Sequence, residues 1–388
     1  MPMTLRSPAT TEPSATDPRV LLLSPAQPHP EAARHLTAVT AGLHSGGAEV
    51  SRIEPNEWGE WAGRMGTEFT ARCRSLWSTV ARTRRLGTVE SIVVGRVDLV
   101  PAGIVAARIT GARRVPVLFH GTDMWTMRPH LRFLLRRDPL LYPVTTSSFG
   151  AGALSTVRMG AILPPGLDHH WRETLLAEAA RRRPLPPIPT VLSVFPLDEW
   201  DVKGLPALLE AVKTASRTLG PVRLVIAGPG PAPGALHAHV AAREHTELHE
   251  DPGDEALARL YATADLFALC TRTRTTAPAS GEAHGTALIE AQLAGCAVIG
   301  PAQGGSRDAY QRGMTGWTPA DESAPALAHI LQDLLADRAR LARAGRQASE
   351  WARAITDPGD HTRAVFAALL GREPDVSPVG GAPAQSIT

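Results

Sequence analysis

Short apolar runs alternating with stretches long enough for amphipathic helices recur along this chain, and that alternation constrains its fold more than any other feature. RVLLLS (19–24), ESIVVG (90–95) and VPVLFH (115–120) have the composition of buried strands with helical segments between them. TVLSVFP (190–196), VRLVIAG (222–228), DLFALC (265–270) and AVIGP (297–301) repeat the pattern, with helices over LPALLEAVKTAS, over EALARLYATA and from about Thr286. Neighbouring parallel strands need a long crossover between them, and repeated strand-helix units put those crossovers on both faces of a parallel sheet. The expected class is α/β, with two Rossmann-like, doubly wound parallel-sheet domains facing across a cleft.

The division between them is also visible. RRRPLPPIP (181–189) has four prolines in nine residues, a composition that forms a stiff extended connector. A chain of 388 residues suits two cores at roughly 150 residues per domain. The expected organisation is a tail over 1–18, a first domain over 19–180, the linker 181–189 and a second domain over 190–355. A C-terminal helix over 356–372, with a return to the first domain as one option, precedes a second tail over 373–388. Both tails are rich in Pro, Ala, Ser, Thr and Gly, which bury too little apolar surface to order themselves.

Charge and cysteine usage narrow the function. A net charge of +2 lacks the basic excess of a dedicated nucleic-acid binder, so no nucleic-acid partner is expected. Cys73, Cys270 and Cys296 are odd in number, widely spaced and in no CxxC pair, which argues against a disulfide framework or a thiolate zinc site and fits a cytoplasmic protein. No run of about 18 apolar residues offers a membrane span. The stretch from Trp58 through Trp61, Met65, Phe69, Leu76, Trp77 and Val80 is read as a core-facing helix with solvated arginines, with a membrane-surface helix as its alternative. His237, His239, His245 and His249 are scattered over a polar segment without carboxylates in order, and no metal site is expected.

The most informative segment is GEAHGTALIEAQLAGCAVIG (281–300). A polar loop after a strand leads through Gly285 into a short helix that ends near Gly295. Such a helix N-terminus at the carboxyl edge of a parallel sheet offers free N–H groups and a positive dipole end to a phosphate. Glu282 and Glu290 flank it, and carboxylates there make sense as acceptors from hydroxyls, since a phosphate would repel them. A sugar at one and a ribose at the other would meet that need. GPGPAPG (228–234) superficially resembles a dinucleotide fingerprint, but its prolines disfavour the immediate helix that motif requires.

Glu282 to Glu290 resembles the glutamate-x7-glutamate signature of the retaining, GT-B-fold glycosyltransferases of family 4, also called group 1. VLSVFPLDEWDVKG (191–204) resembles the family's strand-loop-KG segment, LVIAGPGP (224–231) its next strand and glycine turn, and PAQGGSRDAYQRGMTGW (301–317) its GG loop and G-x-T-G turn. In the first half, FHGTD (119–123) resembles H-G-x-D and LPPGLDHHW (163–171) the P-x-G-x-D segment.

The resemblance implies metal-independent sugar transfer, with retention of configuration, from a UDP- or GDP-linked donor to a small soluble acceptor, plausibly in specialised metabolism, and no cofactor. A lipid acceptor at a membrane surface and a non-catalytic nucleotide-sugar-binding role stay open as alternatives. It assigns Glu290 to the nucleotide ribose, Glu282 to the sugar hydroxyls, and the N–H groups of His284, Gly285, Thr286 and Ala287 to the sugar and diphosphate. Lys203 would neutralise the leaving diphosphate, and Lys203, His120 and Glu282 form the expected catalytic set. His29, His120 and Asp123 are the acceptor-side candidates. The sequence also departs from the family, since Pro196 stands where an arginine usually neighbours the diphosphate, leaving Arg272 or Arg274 to supply that charge.

Overall fold

In the computed structural model, residues 17–25, 30–54, 82–121, 123–181, 187–276 and 279–374 are described. His29, Cys73 and the stretch Trp58–Val80 lie outside these residues. The first sheet has six parallel strands: β1 (Arg19–Leu23), β2 (Glu49–Ile53), β3 (Ser91–Val94), β4 (Val115–Phe119), β5 (Leu141–Thr145) and β6 (Ala161–Ile162). Their order is β2-β1-β3-β4-β5-β6. The second sheet has β7 (Thr190–Val194), β8 (Arg223–Gly228), β9 (Thr246–Glu250), β10 (Leu266–Ala268), β11 (Ala297–Ile299) and β12 (Gly316–Trp317). Its order, β12-β11-β10-β7-β8-β9, is again wholly parallel.

Alternation along each strand builds two cores per sheet. Leu21 and Leu23 of β1 face one apolar layer with Val94, Val115 and Phe119, while Val20 and Leu22 face another with Leu36, Val365 and Phe366. In the second sheet Val191 of β7 packs with Leu208, Leu224 and Leu331, and Leu192 packs with Tyr261, Phe267 and Leu288.

The chain crosses between the domains in two places that proline content alone did not mark. Helix His169–Ala180 falls before the proline-rich connector, yet its Leu175 and Leu176 lie in the core layer of the second domain with Leu192 and Phe267. The second domain's core thus begins before residue 181, because those apolar side chains find partners on the second sheet and none of the first sheet's strands. Helix Pro358–Leu369 makes the return crossing: Val365 and Phe366 pack with Val20 and Leu22 beneath the first sheet, and the Leu369 carbonyl accepts from Ser91 Oγ at 2.9 Å. Asp168 and Asp357 cap these two helices, so each crossing is followed by a sharp helix start.

Both sheets change winding direction, the first between β1 and β3 and the second between β7 and β10. At such switch points the following connections diverge to opposite faces and open a crevice at the carboxyl ends of the strands. These two crevices carry the residues discussed next.

Candidate functional site

The second domain's crevice is assembled from three loops packed backbone to backbone. The loop after β7 reaches Lys203-Gly204, where Gly204 has φ 77° and a Cβ would lie 2.0 Å from the Cys270 carbonyl oxygen. Arg272 N–H donates to the Val202 carbonyl at 3.0 Å, tying this loop to the one after β10. The GG loop closes the third side: Gly305 N–H donates to the Glu282 carbonyl at 2.8 Å, and a Cβ on Gly305 would sit 1.8 Å from the Ala283 carbonyl oxygen. Glycine is demanded at 204 and 305 by close approach of two main chains.

This packing brings Lys203 to Glu282. Lys203 Nζ is 3.8 Å from Glu282 Oε2 and 3.6 Å from Glu199 Oε2, and the lysine is only 8% exposed. Thr271 Oγ1 donates to the same Glu282 oxygen at 2.9 Å. The buried ammonium is thus compensated by two carboxylates. Immediately beyond, Gly285 at φ 85° starts helix Thr286–Leu293, and no side chain caps it. Leu288 N–H donates to the Gly285 carbonyl at 2.9 Å, which leaves the amides of Thr286 and Ala287 as the donors without an intrahelical acceptor.

Glu290 lies one turn into that helix and is buried. Trp171 Nε1 donates to its Oε1 at 3.1 Å and Tyr261 OH to its Oε2 at 3.0 Å, while Arg34 Nη1 approaches Oε1 at 3.9 Å from the first domain. Each carboxylate oxygen has a second lone pair for a further hydroxyl. Burial and the neighbouring Glu290 charge push the Tyr261 phenol well above its ordinary value, so it remains a donor.

The first domain supplies imidazoles. His120 follows β4, and Asp123 folds back so that its Oδ2 accepts the His120 N–H at 3.1 Å. Asp123 thus shapes the turn that presents His120; burial raises its pKa, partly offset by that hydrogen bond. His35, from helix Pro30–Ser45, places its Nδ1 3.5 Å from His120 Nδ1, with the rings edge to face at 5.2 Å. His35, His120, Glu282, His284, Gly285 and Thr286 line one cleft between the domains. Burial lowers the pKa of His284 to about 4, with Asp308 opposing, and holds His35 well below the usual imidazole range.

Glu282, His120, His284, Gly285 and Thr286 thus line one cleft, with Lys203 beside Glu282 and Glu290 on the helix that Thr286 starts. Arg272 and Arg274, offered in place of the arginine missing at Pro196, are exposed on the loop after β10, and Arg34 is the guanidinium that approaches Glu290. The amides of Gly230 and Ala232 in the GPGP turn donate to Asp251 and Glu250 at 2.8 Å each, which leaves that turn engaged with carboxylates. Arg34, His35, Trp171, Tyr261 and Thr271 were not anticipated. Trp171 is the last residue of the segment LPPGLDHHW, and Tyr261 gave the usual signal of a polar tip on an otherwise apolar helix face. Among the described residues no group of three or more His, Cys, Asp or Glu could hold a metal ion, and no helix is long and apolar enough to cross a membrane.

Residues 189–351, under half of the chain, match the family Glycosyl transferases group 1, and the two six-stranded parallel-sheet domains have the GT-B fold. The particular relatives agree. A putative colanic acid biosynthesis glycosyltransferase of Salmonella typhimurium is 27% identical over 252 residues, covering 60% of this chain and 59% of that protein, so the match spans under two thirds of its length. A glycosyltransferase from Rickettsia africae superimposes with a TM-score of 0.71 at 16% identity, over 90% of this chain and 96% of that one. Anabaena HepE, solved with UDP and glucose, gives 0.64 at 15% identity over 89% and 98%.

Proposed function

We propose that this chain is a retaining, metal-independent glycosyltransferase that moves a sugar from a UDP- or GDP-linked donor to a small soluble acceptor, in the cytoplasm. One observation carries the reading: a buried lysine, Lys203, lies 3.8 Å from Glu282, beside an uncapped helix N-terminus whose next turn holds Glu290. The complex of HepE with UDP and glucose is consistent with a nucleotide-sugar donor in this fold.

In this proposal Glu290, held by Trp171 and Tyr261, accepts from the ribose hydroxyls. The amides at Thr286 and Ala287 and the Lys203 ammonium take the charge that grows on the diphosphate as the glycosidic bond breaks. The acceptor hydroxyl attacks from the face the diphosphate leaves and passes its proton to a phosphate oxygen, so no protein nucleophile is required. Contacts such as Ser148 Oγ to Asp308 Oδ1 at 2.7 Å join the domains.

Thermal-shift titration with UDP, GDP, ADP and dTDP tests the nucleotide. Glu290→Ala is expected to abolish the stabilisation by the preferred diphosphate, and undiminished binding would remove the assignment. Glu282→Gln is expected to keep the bare nucleotide and lose the increment due to the sugar. One observation favours a lipid acceptor instead: helix Pro129–Arg137 ends in Arg136 and Arg137 and exposes Phe133 at 60%. Co-sedimentation with anionic vesicles decides between the two, with pelleting supporting the lipid.

A further inference from the structure

A charged side chain of the first domain reaches the helix that begins at Thr286. Arg34, on helix Pro30–Ser45, places Nη1 3.9 Å from Glu290 Oε1, and its neighbour His35 lines the cleft with Glu282, Gly285 and Thr286. The pair is lopsided, since the Arg34 side chain is 62% exposed and that of Glu290 is buried. Glu290 already accepts a hydrogen bond on each oxygen, from Trp171 Nε1 at 3.1 Å and from Tyr261 OH at 3.0 Å. At 3.9 Å the guanidinium makes an ion pair that is beyond hydrogen-bond length. An ion pair with one partner in solvent is weak, so Trp171 and Tyr261 orient Glu290 and Arg34 is not needed for that task.

The position of Arg34 relative to the helix start gives it another task. The amides of Thr286 and Ala287 have no intrahelical acceptor, and Glu290 follows Thr286 by four residues. Four residues are roughly 6 Å along a helix axis. An anion held at those amides therefore lies about one helical turn from the Arg34 guanidinium, a separation that a change of rotamer in a long side chain can cover. The planar fork of a guanidinium matches two phosphate oxygens. Where it stands in the empty site, it faces the Glu290 oxygen that a ribose hydroxyl would use.

We infer that, given the donor reading above, Arg34 is a phosphate-binding residue contributed by the first domain. A ribose hydroxyl displaces the guanidinium from Glu290 Oε1, and the guanidinium turns to the diphosphate at the helix start. Two consequences have opposite signs. Toward a nucleoside without phosphates, Arg34 is only a competitor for Glu290. Toward a nucleoside diphosphate, it exchanges one anionic partner for another of higher charge. Arg34 thus widens the affinity gap between a nucleoside and its diphosphate.

Calorimetric titration of the full chain with uridine, UDP, guanosine and GDP tests this in the parent, in Arg34→Ala and in Arg34→Lys. Arg34→Ala is expected to weaken the preferred diphosphate about tenfold, while its nucleoside binds as in the parent or more tightly. Arg34→Lys should recover part of the loss, because it restores the charge without the fork. Raising the salt concentration should weaken diphosphate binding less steeply in Arg34→Ala than in the parent, since one screened charge is gone. Undiminished diphosphate affinity in Arg34→Ala overturns the inference while the donor reading stands. Equal losses for nucleoside and diphosphate, as a residue that merely braces the two domains would give, also overturn it, and so does an equal salt dependence of the two proteins. If neither UDP nor GDP binds the parent, the donor reading falls and this inference with it. Arg34 is mostly exposed, so neither substitution empties a core position.

Discussion

The two sheet edges that face each other across the cleft are built from different materials. On the second domain, main chain packs on main chain: Gly204 against Cys270, Gly305 against Ala283, Arg272 hydrogen-bonded to Val202, with the ionisable groups Lys203, Glu282 and Glu290 fixed on that framework. On the first domain, side chains make the surface, and His35, His120 and Asp123 are held by one another and by a single turn. A framework of close backbone approaches tolerates few residue types at each point and leaves a spaced motif. A surface of side chains leaves a scatter of histidines whose meaning depends on what lies opposite. Under the proposed function, the difference corresponds to a site for a common group, the nucleoside diphosphate, on one edge and for a more particular group on the other.

If the second-domain edge is the charge-stabilising one, Lys203→Ala has the largest effect. A loss of about 100- to 1000-fold in kcat, about 3–4 kcal/mol, is expected in a steady-state transfer assay, with bare nucleotide binding reduced far less. Wild-type turnover in this variant would shift the catalytic weight to the first domain and reverse the comparison.

The backbone framework is checked by paired glycines. Gly204→Ala forces a Cβ toward the Cys270 carbonyl at a positive φ, and about 3 kcal/mol or more of stability should be lost in urea denaturation. Gly111 has a similar φ of 73° and ψ of 19° with open space around it, so Gly111→Ala should cost only about 1 kcal/mol. Equal losses would show that conformation, and not main-chain contact, requires Gly204.

The imidazole side is checked by pH. His284 is held at about 4, below the ordinary 6.5, because burial disfavours its charged form. As pH falls through 6.5 the unfolded chain binds a proton that the folded chain refuses, so stability is full above 6.5 and declines toward pH 4, by on the order of 3 kcal/mol. The depressed pKa of His35 acts in the same direction. Thermal unfolding between pH 7.5 and 4.5 follows the decline, and His284→Gln should flatten it in part.

The smallest expected effect sharpens the role of Glu290. Tyr261→Phe removes one donor and leaves the Trp171 bond, so nucleotide affinity should weaken by about 1 kcal/mol, or about fivefold, in titration. No change would mean that Trp171 and the helix alone orient the carboxylate.

The apolar strands were legible because a strand buried on both faces reads as a continuous apolar run, as in RVLLL or TVLSV. Strand β5 was not named, since Pro143 interrupts LYPVT, and polar β9, TELHE, lies at the sheet's edge, where burial imposes little pattern. In the site, Glu282, Gly285 and Glu290 were legible because their spacing follows one loop and one helix. Arg34 and Tyr261 reach Glu290 from 256 and 29 residues away in sequence, which no local pattern encodes.

By itself, then, the sequence determined two parallel α/β domains and the loop-to-helix turn that carries Glu282, Gly285 and Glu290, because hydrophobic alternation and close backbone approach both act over short stretches of chain. Tertiary structure decided which domain each crossing helix joins, that Asp123 braces His120, and that His35, His120 and His284 share one cleft. Those outcomes depend on which surfaces meet once the sheets are packed, a property of the folded chain as a whole.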